Sequence, residues 1–182
     1  MKGRAFLAFL AMLVMLVAAF AVGAYRGYFN DRIQVELALS SLSDVLQARI
    51  EMGYNLLTVA RRHLPEDDAL VVSVQGSIRT LEGDAGLAAK AAANAQLSRD
   101  SRDLLNKLEG MDSVQTDQRD LRYVTGLLPR GFETSAQWAD AEAYNSAVRE
   151  FNKRLNTTLN GRVAKLLGVM DAETFGTGGN GI

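Results

Sequence analysis

The sequence predicts an all-α protein: an N-terminal transmembrane helix followed by an up-and-down antiparallel bundle of about four helices. Three observations predict this. Residues 5–24 form one uncharged apolar run. Beyond it, apolar residues recur at helical spacing in four or five segments. The 182 residues contain only two prolines, Pro65 and Pro129, and no stretch sustains the period-two alternation of a strand.

The apolar run extends from Ala5 through Leu10 and Val17 to Ala24. At about 1.5 Å rise per residue such a helix spans roughly 30 Å, the thickness of a bilayer's hydrocarbon core. No polar face interrupts it, which argues against a buried core helix. Lys2 and Arg4 precede it, and Tyr25, Tyr28 and Phe29 follow where interfacial aromatics are expected. A cleaved signal peptide is the alternative, because Ala19-Phe20-Ala21 and Val22-Gly23-Ala24 both satisfy a small-residue cleavage rule. Signal cores run about 7–15 residues, so the length favours an anchor. The amino terminus, Lys2 and Arg4 outweigh Arg26 and Arg32 slightly. That bias puts the N-terminus in the cytoplasm and the remaining chain on the periplasmic or extracytoplasmic side.

Residues 25–38 read as a juxtamembrane helical extension and 39–175 as the bundle, with 176–182 a flexible glycine-rich tail. The first bundle helix runs from about Ile33 to Leu64. Its Leu39, Ser43, Leu46, Ile50, Gly53, Leu57, Ala60 and Leu64 alternate steps of four and three, a heptad seam whose small members admit a close neighbour. Pro65 ends it. Pro65-Glu66-Asp67-Asp68 reads as the start of a second helix, with acidic groups at its positive end. Leu70, Val74, Ile78 and Leu81 share its face, and Glu82-Gly83-Asp84 stops it. A third helix, about Ala85 to Glu109, aligns Asn94, Leu97, Ser101, Leu104, Leu108 and Met111. A short fourth, Ser113 to Leu127, is expected to break at Pro129-Arg130-Gly131. Thr134 or Ser135 then caps a last helix with a stripe of Trp138, Ala141, Tyr144, Val148, Phe151 and Leu155, continuing past Gly161 to Leu167. Short connections make successive helices antiparallel neighbours.

Two segments resemble a known family. Tyr144-Asn145-Ser146-Ala147-Val148-Arg149-Glu150-Phe151-Asn152, followed by Val163-Ala164-Lys165-Leu166-Leu167-Gly168-Val169 and Phe175, resembles the C-terminal signature of LemA proteins. Arg49-Ile50-Glu51-Met52-Gly53-Tyr54-Asn55-Leu56-Leu57 resembles that family's first-helix motif. Tyr54 stands where the family has proline, and Phe151 replaces the second tyrosine, so the likeness is to a divergent member. The resemblance implies a bacterial single-pass inner-membrane protein with a helical bundle. From the residues themselves, Asn145 and Asn152 lie seven apart on one helix face, with Arg149 one turn from Asn145. With Tyr144, and with Arg49, Glu51 and Asn55 on the first helix, they are expected to form a polar layer that fixes the register of the two helices. Arg49 or Arg149 as an anion-binding residue is the sharper alternative.

Several function classes find no support. Of 20 basic and 21 acidic residues only Lys2 and Arg4 lie in the anchor, so the domain carries a small acidic surplus. A nucleic-acid binder would show a basic surplus or stripe. His63 is the only histidine and cysteine is absent, so no metal site is expected. At a helix end beside Glu66-Asp67-Asp68, His63 is explained by the helix dipole and solvation. No nucleophile elbow or phosphate-binding glycine loop occurs. The expectation is a non-enzymatic, cofactor-free protein whose partners are the bilayer and other membrane proteins, a membrane protease, or further copies of itself. A sensor-like bundle binding a small periplasmic ligand is the alternative, and a cavity with convergent polar groups would distinguish it.

Overall fold

A computed structural model describes residues 2–138 and 141–176. Among them the chain is helical and contains no strand. The helices are α1 (Lys2–His63), α2 (Ala69–Glu82), α3 (Leu87–Glu109), α4 (Asp112–Thr116), α5 (Gln118–Arg122), a π-helical turn (Tyr123–Leu127), α6 (Leu128–Trp138), α7 (Glu142–Thr157) and α8 (Leu159–Leu166). Among the described residues one helix, α1, is long and apolar enough to cross a membrane. It runs unbroken for 62 residues, so the apolar run and the first bundle helix are one element. From Phe6 to Phe20 its large side chains are all exposed.

The chain divides into two compact units, one of residues 1–38 with 144–173 and one of 39–143 with 174–182. In the first, residues 24–38 of α1 are more than an extension. Ala24, Tyr28 and Val35 are buried, as are Val148, Phe151 and Leu155 of α7 and Ala164 of α8. Tyr28, expected at a membrane interface, meets Phe151 edge-on at 6.3 Å and lies under the Arg154 guanidinium. Its hydroxyl donates to the Arg154 carbonyl at 2.9 Å and lies 2.6 Å from Thr158 Oγ1. The expected continuous last helix is broken here. Thr158 caps α8 by accepting from Gly161 N–H at 2.9 Å. A Cβ on Gly161 would stand 2.2 Å from the Leu155 carbonyl oxygen, so only glycine permits this turn.

In the second unit the seam of α1 is buried from Leu46 through Ile50, Gly53, Leu57 and Ala60, while Ser43 is exposed. A Cβ on Gly53 would lie 2.7 Å from Ile78 Cδ1, so the missing side chain is what lets α2 approach. The second helix starts at Ala69 with Asp68 as its N-cap, later than the expected start at Pro65, because Pro65 to Asp68 closes a turn first. Asp68 also pairs with Lys107 at the far end of α3, and Ser73 bonds Asp100, so α2 and α3 form an antiparallel hairpin. The hydrogen bond from Lys107 holds the Asp68 carboxyl below its ordinary range.

Pro129-Arg130-Gly131 does not break the chain. Pro129 is the second residue of α6, where a missing N–H costs little, and the preceding π-helical turn absorbs its ring. Thr134 and Ser135 accordingly sit inside α6 rather than capping a later helix. The Trp138 side chain and the tail from Thr177 onward lie outside the described residues.

Candidate functional site

The seam that buries Leu46, Ile50 and Gly53 also carries Arg49 inward, since it lies three residues after Leu46 and four before Gly53. Its side chain is buried, at 1% exposure. Nε donates to Asn94 Oδ1 at 2.5 Å and one terminal nitrogen to Ser98 Oγ, both on α3. The other terminal nitrogen reaches the Phe132 carbonyl and Ser135 Oγ on α6, each at 3.4 Å. All these acceptors are neutral. Ser98 and Ser135 give their own protons to backbone carbonyls of Asn94 and Phe132, which turns their lone pairs toward the guanidinium. Burial holds the Arg49 pKa below its ordinary value. A buried cation without a counter-charge is costly, several kcal/mol before its hydrogen bonds are counted.

Arg49 lines a cavity of about 780 Å³. Its polar wall comes from α3, where Ser98, Ser101, Arg102 and Asn106 fall on one face. Ser101 is 1% exposed, and its hydroxyl is a buried side-chain polar atom with no hydrogen-bond partner. The apolar wall is Leu105, Val124, Pro129 and Phe132, with Thr125, Glu109 and Glu133 completing the lining. The π-helical turn supplies Val124 and Thr125, so the distortion around Pro129 also shapes the cavity.

The other motif residues go elsewhere. Glu51 and Asn55 are exposed. Glu51 borders a separate groove of about 630 Å³ with Asp44, Met52 and Arg130. Tyr144 is buried and its hydroxyl donates to the Glu173 carbonyl at 2.6 Å. Asn152 bonds the backbone of Ala172 twice, donating to the carbonyl and accepting from the N–H, both at 2.8 Å. These two side chains therefore fasten the segment after α8. Asn145 and Arg149 are also engaged. The bonds described for Arg49 lie within the second unit and those for Tyr144 and Asn152 within the first.

A second buried charge lies at the end of α1. Asp120, 1% exposed, accepts from Arg62 Nε at 2.7 Å and Nη2 at 2.5 Å, and lies 2.9 Å from His63 Nε2. His63 Nδ1 is 3.0 Å from Ser113 Oγ. His63, expected to be explained by the helix dipole and solvation, is instead covered and held by Asp120 and Ser113. Serine, imidazole and carboxylate stand in hydrolase-like connectivity. The carboxylate, however, is already neutralised by a bidentate guanidinium, and none of the three lines the Arg49 cavity. The arrangement ties the end of α1 to α4 and α5.

Sequence reasoning placed Asn94 and Ser101 on the inner stripe of α3 but treated both as packing positions. Two polar residues among Leu97, Leu104 and Leu108 were the available signal. No family model matches the chain, and no curated protein or solved structure matches it.

Proposed function

We propose that the protein is a single-pass membrane protein resembling the LemA family, with the first part of α1 as an uncleaved anchor in a bacterial inner membrane. The helical region forms an up-and-down bundle of about four helices on the periplasmic side. It acts without catalysis, as a scaffold for other membrane proteins or a membrane protease, or for further copies of itself. The observation that carries this reading is the continuity of α1. The same helix that exposes Phe6 to Phe20 on every side is buried from Leu46 to Ala60 on one face. No break separates the apolar run from the folded region, and Ala24 at the boundary is already packed in the first unit. An exposed apolar surface of that extent in water would be an aggregation site, and a bilayer is the environment that satisfies it.

Crosslinking in the native membrane followed by mild-detergent purification tests the scaffold role. Recovery of a partner or a defined oligomer is expected, and a lone monomer overturns it. Because the chain has no cysteine, Gly178→Cys gives a unique topology probe. Labelling by an impermeant reagent in intact cells is expected, and labelling only after lysis reverses the orientation.

A second reading, the sensor-like bundle, is favoured by the Arg49 cavity, with its buried cation and convergent α3 side chains.

A further inference from the structure

The geometry points to the Arg49 cavity as a binding site for a small organic monocarboxylate with an apolar body. This goes beyond the scaffold role and stands independently of it. Two observations made on different residues converge. Arg49 is a fully buried guanidinium whose hydrogen-bond partners are all neutral. Ser101, on the same cavity wall, is a buried hydroxyl without a hydrogen-bond partner among the described residues. A carboxylate supplies what both lack: negative charge for the first and an acceptor for the second. Buried polar groups in folded proteins are nearly always bonded, and each exception calls for a partner or another explanation.

The remaining lining narrows the chemistry. About 780 Å³ exceeds what a simple inorganic anion fills and lies within the range of small-molecule pockets. Leu105, Val124 and Phe132 offer apolar surface that phosphate or sulfate would leave uncovered. Glu109 and Glu133 set two carboxylates against Arg49 and Arg102 on the lining, which leaves no excess positive charge for a multiply charged anion. One carboxylate against one buried guanidinium, with the hydrocarbon portion toward α6 and the π-helical turn, fits all of these.

The test uses the full-length protein in lipid nanodiscs, with calorimetry and thermal unfolding. The probes are phenylacetate and 4-methylpentanoate, their primary amides, and inorganic phosphate. Both acids should bind and raise the unfolding midpoint, with the amides weaker by about tenfold or more, the value of a charge-assisted hydrogen bond. Phosphate should bind more weakly than either acid. Ser101→Ala should weaken the acids by about fivefold or more while leaving the ligand-free midpoint unchanged or raised, which a merely structural serine would not do. Absence of binding at millimolar acid, amides equal to acids, phosphate tighter than the acids, or a Ser101→Ala protein that binds as before would each overturn the proposal.

Discussion

Two buried charges, Arg49 within α1 and Asp120 packed against its end, are handled in opposite ways. At its end, Arg62 and His63 converge on Asp120, so charge meets charge and the hydrogen bonds close the network. At Arg49 the guanidinium is more deeply buried, yet it meets only amide, hydroxyl and carbonyl oxygens, beside a cavity and an orphan serine. The first is a structural closure. The second holds its cation with neutral acceptors alone, beside a cavity.

That contrast can be broken from either side. Asp120→Asn should have the largest effect, about 2–3 kcal/mol of stability measured by urea unfolding. It removes the buried counter-charge of a guanidinium that is itself half in solvent. Arg49→Met should cost less, about 1–2 kcal/mol, because it removes a buried charge along with its bonds, but it should abolish carboxylate binding. A loss larger than that for Asp120→Asn would make Arg49 the structural charge and reverse the comparison.

Acid sharpens the contrast through a third pair. Asp68 is held below its ordinary range by Lys107, so between its folded and unfolded values the unfolded chain takes up more protons. Its contribution is therefore present above about pH 4, the unfolded carboxyl value, and is lost as pH falls through the lower folded value. Since the Lys107 side chain is nearly half exposed and solvent screens the pair, Lys107→Ala should shift the acid limb of a stability profile only slightly. The smallest effect is that of Ser101→Ala without ligand: unchanged, or stabilised by up to about 1 kcal/mol, since it deletes an unpaired hydroxyl. A clear loss would show that Ser101 has a partner in solution.

How much of this was legible in the sequence depends on the range of the interaction involved. The α1 seam and its end at Pro65 were legible because hydrophobic period and backbone sterics act within a turn or two. Pro129 misled because a π-helical turn absorbs its ring, and no local rule prefers that over a break. Thr158 and Gly161 misled in the other sense. The apolar spacing continues across them, whereas the break is required by the packing of α8 against the end of α7. The candidate site was only half visible. Arg49 could be named as an anion-binding alternative, but its partners come from α3 and α6, some 45 and 83 positions away.

By itself, then, the sequence determined that the chain is helical, that its N-terminal helix is apolar on all sides, and that the helix later buries a single seam. Those properties follow from composition and periodicity, which neighbouring residues read without help from the rest of the chain. Tertiary structure alone decided that Tyr28 is core, that Asp120 answers His63, and that the acceptors described around Arg49 are neutral. Each depends on which distant side chain arrives at a buried position. For a charge, that arrival separates a closed ion pair from a cation held by neutral acceptors alone.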